Sequence, residues 1–264
     1  MTHSHPGTAL ITGASSGIGA VYADRLARRG HDLILVARNR ERLNALARNL
    51  SDETRRNIEV VVADLADRTD LARVEDILRK DASITTLVNN AGIGATRPLL
   101  ESNVNELEEL LTLNVNALMR LTYAAAPGFV ARGGGTIINI ASIVAIAPEL
   151  LNGVYGGSKA FVLAFSQSLH KELNELNVRI QVVLPGATAT DFWATAGTSV
   201  EYLPSAIVMQ ADAMVDAALA GIDQGEFVTI PALPDISELE AFETARQKLV
   251  PNLSLSSPAA RYNR

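Results

Sequence analysis

The sequence predicts an α/β fold: a doubly wound, parallel, seven-stranded sheet with helices on both faces, in a single domain spanning 1–264. Three observations predict it. Short apolar runs of strand length alternate with amphipathic stretches of helical period, and runs that are apolar throughout suit strands buried on both faces. A helix-length segment separates successive strands, as a right-handed parallel crossover requires. No repeat, low-complexity stretch or Pro/Ser-rich linker breaks the pattern before the C-terminal tail.

The elements follow in order. Residues 8–11 are an apolar run closed by Gly13, hence a strand, and a helix is predicted from about 17 to 29, stopped by Gly30. Residues 32–37 form a second buried strand, after which Asn39 caps a helix with Leu43, Leu46, Ala47 and Leu50 at helical spacing. Residues 58–62 are a third strand, and Asp67 opens a helix with Leu71, Val74, Ile77 and Leu78 on one face. Residues 84–88 are a fourth strand, running into Asn89-Asn90-Ala91-Gly92. One long helix is predicted from about 103 to 131, with Leu107, Leu110, Leu111, Asn114 and Leu118 sharing a face and Pro127 kinking or ending it. Beyond Gly133-Gly134-Gly135 come a strand at 136–140, a helix at 153–176 and a strand at 178–184 closed by Pro185-Gly186. Residues 187–208 read as irregular, 210–222 as a helix and 227–230 as a short seventh strand. The tail from about 231 to 264 holds one helix near 236–249.

The chain has 264 residues and a mass of 28.1 kDa, enough for a full core without staples. The absence of cysteine removes disulfides, a thiol nucleophile, Cys-ligated zinc and iron–sulfur clusters. The histidines, His3, His5, His31 and His170, fall in no metal-binding spacing, so no metal is expected, and His3 and His5 are taken as solvated tail. With 23 Lys and Arg against 29 Asp and Glu the net charge is −6, which argues against general nucleic-acid binding. No apolar run reaches the roughly 18 residues of a membrane-spanning helix. Residues 1–6 carry neither a basic nor an apolar targeting stretch, so a cytoplasmic protein with no membrane partner is expected.

Between the first strand and helix stands Thr12-Gly13-Ala14-Ser15-Ser16-Gly17-Ile18-Gly19. Gly13 permits the tight turn, Gly17 lets backbone approach a diphosphate, Gly19 allows close helix–strand packing, and the helix N-terminus presents free N–H groups to phosphates. The strand before and the helix after make this a dinucleotide-binding turn. Sites selecting NAD place Asp or Glu at the end of the second strand, on the ribose 2′-hydroxyl. Here Ala37-Arg38-Asn39-Arg40 offers no carboxylate, and the Arg38 guanidinium can pair with a 2′-phosphate. NADP is therefore expected in preference to NAD. The plainer reading of Arg38, Arg40 and Arg42 is a solvated helix start. Asp64, after the third strand, can accept from an adenine amino group or cap a turn, and Asn90 lies at the sheet edge where open α/β sheets bind ligands.

Further polar features converge on that edge. Ser142 follows the fifth strand, and Tyr155 and Lys159 open the next helix at i,i+4, on one face. Asn114 sits on an apolar helix face, where an amide needs a hydrogen-bond partner.

Taken together, these residues resemble the classical short-chain dehydrogenase/reductase family over about 8–230. The resemblance rests on Thr12-Gly13-x-x-x-Gly17-x-Gly19, Asn89-Asn90-Ala91-Gly92, Asn114, Ser142, Tyr155-x-x-x-Lys159 and Pro185-Gly186-x-x-x-Thr190. It implies a Rossmann-type fold and a nicotinamide cofactor. Around the glycines it implies cofactor contacts from Ser15, Ser16 and Ile18. Beyond the later strands it implies contacts from Asp64 and Leu65, from Asn90, Ala91 and Gly92, and from Pro185, Gly186, Thr188 and Thr190, with Thr188 and Thr190 as rivals for the carboxamide.

The resemblance also implies a mechanism. A free tyrosine titrates near ~10, and the Lys159 ammonium and a positive nicotinamide favour the phenolate. Tyr155 can then give its proton to a carbonyl oxygen or take one from an alcohol. Ser142 holds the same oxygen, Lys159 binds the nicotinamide ribose, and Asn114 holds a water that links the lysine to solvent. The expected activity is NADP(H)-dependent interconversion of a carbonyl compound and its alcohol, the cofactor supplying the hydride. A non-catalytic NADP-sensing regulator is an alternative, and the intact Ser142, Tyr155 and Lys159 argue against it. An epimerase or dehydratase of the extended type is another, disfavoured by the glycine spacing and the short C-terminal part.

Substrate choice is expected from loops at 93–99, 143–151 and 192–209, the last within a substrate-loop region at about 187–210. Ile93, Ile143, Ile146, Leu150, Phe192, Trp193 and Tyr202 offer an apolar, aromatic lining suited to a hydrophobic carbonyl compound. Residues 187–210 contain no basic side chain, which leaves Arg97 and Arg120 as the nearest cations for an anionic substrate. By resemblance, a homotetramer or homodimer would form through the helices at 103–131 and 153–176.

Overall fold

In the computed structural model, which describes residues 6–262, the chain alternates strand and helix nearly throughout; His3 and His5 lie outside the described residues. The first half runs β1 (Thr8–Thr12), α1 (Gly17–Arg28), β2 (Asp32–Ala37), α2 (Arg40–Thr54), β3 (Ile58–Val62), α3 (Arg68–Lys80) and β4 (Ile84–Asn89). It continues through α4 (Val104–Leu111), α5 (Leu118–Ala131), β5 (Gly135–Ile140), α6 (Gly153–Leu173) and β6 (Val178–Val183). Last come β7 (Thr188–Ala189), α7 (Phe192–Thr195), β8 (Met209–Gln210), α8 (Ala211–Asp223), β9 (Val228–Thr229) and α9 (Ile236–Leu249).

The main sheet has seven strands in the order β3-β2-β1-β4-β5-β6-β9, all pairings parallel. This is the Rossmann-type doubly wound sheet that the alternating pattern predicts. Side chains alternate across each strand, and both sides are apolar. Ala9 and Ile11 join a core with α1, α2 and α8 residues such as Tyr22, Leu43 and Val215. Leu10, between them, joins a core with α3, α5 and α6 residues such as Val74, Leu121 and Leu169. Asn39 and Asp67 cap α2 and α3 as expected, accepting from Arg42 N–H and from Thr69 and Asp70 N–H respectively.

The strand order reverses between β1 and β4, and the crevice at such a switch point is where open α/β sheets bind ligands. A clasp of side chains closes that point. Thr12 Oγ1 donates to Val88 O at 3.2 Å and accepts from Asn90 N–H and Ala91 N–H at 2.9 and 3.0 Å. Asn90 Nδ2 donates to Thr12 O at 2.9 Å. Deeper in the sheet, Asn89 Nδ2 donates to Asn139 Oδ1 across the β4–β5 pair at 2.9 Å, and Asn139 Nδ2 donates to Ser166 Oγ of α6 at 2.9 Å. All three side chains are buried.

Three details differ from expectation. The predicted long helix is two α-helices joined by a π-helical turn, Thr112–Ala117, centred on Asn114. Pro127 does not end it; α5 continues to Ala131. The stretch expected to be irregular contains β7 and α7, and β7 pairs in parallel with β8, directly after the stretch, at the base of the loop. The sheet-bearing unit ends at Pro231, and from Ala232 the described residues form a second compact unit. In it α9 is capped by Asp235, whose carboxylate accepts from Ser237 N–H. No helix among the described residues is long and apolar enough to cross a membrane.

Candidate active site

The glycine turn is built as its spacing requires. Gly17 has φ +53°, a left-handed conformation that disfavours a side chain, and a Cβ there would come 3.1 Å from Thr190 Cγ2. Gly19 faces backbone: a Cβ would fall on the Gly13 carbonyl oxygen and within 2.6 Å of Asn90 Nδ2. Ser16 is the N-cap of α1, in extended conformation, and its side chain makes no capping bond. Ser16 therefore leaves the first N–H groups of α1 without a side-chain cap at the helix's positive end, an arrangement suited to phosphate.

Arg38 follows β2 with its side chain 72% exposed, and its nearest carboxylate is Asp64 Oδ2 at 3.9 Å. Among the described residues nothing holds the Arg38 guanidinium tightly, so it is available to an anion. Asp64 divides its two readings: Oδ1 accepts from Ala66 N–H at 3.0 Å as a turn cap, while Oδ2 faces Arg38. Leu65 is core, packed with Leu10 and Ile34. The Asn90 amide is held in the clasp with Thr12, so its contribution to the crevice is positional. These residues fit a phosphorylated dinucleotide: a backbone cradle that any Cβ would fill, a helix N-terminus and an uncommitted guanidinium.

Asn152 anchors the start of α6, which sequence reasoning missed. Its Oδ1 accepts from Val154 N–H at 2.9 Å and Tyr155 N–H at 3.4 Å, and its Nδ2 donates to Arg97 O at 2.7 Å and Ser102 Oγ at 3.1 Å. The cap ties the Tyr155 turn to the loop after β4, and its signal in the sequence was an asparagine directly before the helix.

Tyr155, Ser142 and Lys159 come together as their spacing implied, all buried. Burial pushes the Tyr155 phenol up to about 12, and a hydrogen bond with the Ser142 side chain opposes that rise. Ser142 Oγ also lies 3.4 Å from both Pro185 O and Val144 N, long contacts that leave it free to reorient toward a substrate oxygen. Lys159 Nζ is 5.9 Å from the Tyr155 ring centroid and donates to Ile140 O at 2.9 Å. Burial lowers it to about 8. In this state desolvation outweighs the mutual attraction expected from sequence, and the phenol is raised rather than lowered.

Asn114 spends both amide hydrogens. Nδ2 donates to Ile93 O at 2.9 Å and Ser158 Oγ at 3.3 Å, and Oδ1 accepts from Ile93 N–H at 2.9 Å. Its side chain thus grips the backbone beyond Gly92, and a Cβ on Gly92 would lie 3.0 Å from Asn114 Oδ1 and 3.7 Å from Lys159 Nζ. The π turn sets Asn114 at that spot, consistent with the concentration of π-bulges at functional sites. Ser158 Oγ donates to Tyr155 O at 2.7 Å, linking the amide to the tyrosine turn.

An apolar cluster covers Tyr155: Leu110 and Val144, with Ile93, Leu151, Val154 and Phe192. Thr188 is self-satisfied, its Oγ1 donating to Gly186 O at 3.2 Å, whereas Thr190 lies over Gly17. Gly186 borders open space, with only Ile143 Cδ1 near, at 3.9 Å. Arg120 is bound to the buried Glu75 on α3, outside the site, while Arg97 lies on the loop that Asn152 grips.

Comparisons with known proteins agree with this geometry. A family model described as short chain dehydrogenase matches residues 7–200. A short-chain dehydrogenase from Sphingobium yanoikuyae, solved in complex with NADPH, is 49% identical, with TM-score 0.94 over 97% of this chain and 100% of that one. A bulky-bulky ketone specific alcohol dehydrogenase from Comamonas testosteroni is 44% identical, with TM-score 0.91 over 99% of this chain and 100% of that one. A very-long-chain 3-oxoacyl-CoA reductase of Anas platyrhynchos is 34% identical over 69% of this chain, and the match spans 60% of that protein's length.

Proposed function

The chain belongs to the short-chain dehydrogenase family, oxidoreductases of CH–OH and C=O groups, and from that premise we propose that it interconverts a bulky, apolar ketone and its alcohol with NADP(H). The observation that carries the reading is Tyr155 beside Ser142 under an apolar cover, with Lys159 one helical turn on. Kinship with proteins named for NADPH and for bulky ketones supports the cofactor and the substrate class. The test is a panel of ketones and aldehydes, graded by bulk on each side of the carbonyl, with NADPH and NADH compared by loss of absorbance. Turnover of bulky ketones with NADPH is expected; none across the panel would favour a cofactor-sensing protein.

When bound, the cofactor supplies the hydride. The residues placed to hold it are the Gly13–Gly19 turn, Arg38, Asp64, Gly92, Gly186, Thr190 and Lys159. The chain's own part is the proton. The Tyr155 hydroxyl donates to the substrate oxygen as negative charge develops there, and Ser142 donates a second hydrogen bond to the same oxygen. Burial makes Lys159 the more readily deprotonated of the two, so its ammonium, one helical turn from Tyr155, is the group placed to return a proton to the tyrosinate.

That ordering sets the pH dependence. Burial disfavours the charged amine, so the ammonium is lost as pH rises through about 8. The tyrosine keeps its proton throughout that range. Because the lysine restores the tyrosine proton between turnovers, kcat for ketone reduction is expected to be flat below pH 8 and to fall above it. A profile flat to pH 10 would remove Lys159 as proton source.

Tyr123, 67% exposed on α5, stacks on Phe165 of α6 at 6.2 Å, and Phe165 stacks on Phe161 at 5.6 Å. This aromatic face supports a homodimer or homotetramer through α5 and α6. Light scattering is expected to give at least twice 28.1 kDa; a monomer mass would overturn it.

A further inference from the structure

Four consecutive residues after β7 each bind a different part of the molecule. Thr190 lies against Gly17 of the phosphate turn. Asp191 is the N-cap of α7, yet its carboxylate makes no cap bond and instead accepts from Arg42 Nη1 on the first turn of α2 at 2.9 Å. Phe192 is seated on Gly94, where a Cβ would fall on its ring, and its centroid is 5.8 Å from that of Tyr155. Trp193 packs edge-on against Phe192 at 5.6 Å and donates from Nε1 to Thr188 O at 2.9 Å. The segment is a strap with one end on the cofactor's phosphate region and the other over the catalytic tyrosine.

We propose that Asp191 is a specificity-determining residue that stands in for a cofactor phosphate on Arg42, and that a 2′-phosphate displaces it, freeing the strap and lifting Phe192 from Tyr155. The inference rests on the NADP(H) reading above and deepens it. Arg42, in the first turn of α2, reaches the residue next to Thr190, which itself lies against Gly17, so its guanidinium stands beside the phosphate turn and four residues after Arg38. A phosphate monoester carries more charge than a carboxylate and three acceptor oxygens, and guanidinium takes it bidentately. The Asp191–Arg42 pair is exposed, with side chains 69% and 56% accessible, so solvent and salt weaken it. The carboxylate therefore holds the strap only while no phosphate competes. Because Asp191 and Phe192 are adjacent, losing the first contact shifts the second, and substrate entry follows cofactor binding.

The chain supplies its own reporter, for Trp193 is its single tryptophan and is buried within the strap. The probes are adenosine 2′,5′-bisphosphate and ADP, neither of which supports turnover. In the native protein the bisphosphate is expected to red-shift Trp193 emission as the ring meets water, while saturating ADP leaves it near its starting position. Asp191→Asn is expected to begin red-shifted, to show no further shift, and to bind the bisphosphate several-fold more tightly by calorimetry. Bisphosphate binding without a shift in the native protein would overturn the coupling. An equal shift with ADP would overturn the 2′-phosphate as displacer. An Asp191→Asn variant with native emission and affinity would overturn the role of Asp191. Failure of the bisphosphate to bind at all would instead overturn the NADP(H) reading and, with it, this one.

Discussion

Tyr155→Phe is expected to reduce ketone turnover about a thousandfold, on the order of 4 kcal/mol of barrier, while leaving NADPH affinity within a factor of two. The ring is buried beside Leu110 and Val144, and phenylalanine keeps that packing, so the variant should fold as the parent does. What disappears is the one O–H placed to give up its proton to the substrate oxygen. Ser142 remains, but a serine hydroxyl that donates a hydrogen bond cannot leave a stabilised anion behind after giving up its proton. Single-turnover kinetics with NADPH, together with a cofactor titration, separate the two effects. Retained turnover would remove Tyr155 as acid; a parallel loss of cofactor affinity would point to a distorted site instead.

Arg38→Ala is expected to weaken NADPH roughly 10- to 100-fold and leave NADH nearly unchanged, since charge-assisted hydrogen bonds to a phosphate contribute to only one of the two cofactors. The side chain is 72% exposed and its nearest carboxylate lies at 3.9 Å, so its removal should leave the fold intact. The effect should shrink with added salt. Dissociation constants for both cofactors at low and moderate ionic strength provide the check, and equal losses for the two would take Arg38 out of the phosphate site.

What the sequence disclosed was whatever depends on short spacing. Strand runs, the glycine turn, the Asn39 and Asp67 caps and the Tyr155–Lys159 pair each lie within a few residues, where period and local conformation determine the outcome. The clasp between Thr12 and Asn90 joins positions 78 apart, and the Asp191–Arg42 pair joins positions 149 apart. Neither has a local signature. The π turn at Thr112–Ala117 was hidden for another reason: it changes the helical hydrogen-bond register inside a stretch that reads as one helix, and its trace is Leu111, placed on the apolar face by period but exposed in the fold. The effect of burial on Tyr155 and Lys159 was not legible either, because charge proximity can be read from i,i+4 spacing, whereas depth of burial cannot.

The buried Asn89–Asn139–Ser166 chain bears on how the protein reaches its native state. In a parallel sheet rich in interchangeable apolar residues, little in the hydrophobic pattern alone penalises strands that pair out of step. A slip of β5 by one residue would turn Asn139 to the opposite face, leaving the Asn89 amide without its cross-strand acceptor in a dry interior. It would also strip Ser166 of its donor, so α6, the helix bearing Tyr155 and Lys159, would lose a buried hydrogen bond to the sheet. The polar chain thus penalises a misregister that the apolar pattern alone would tolerate.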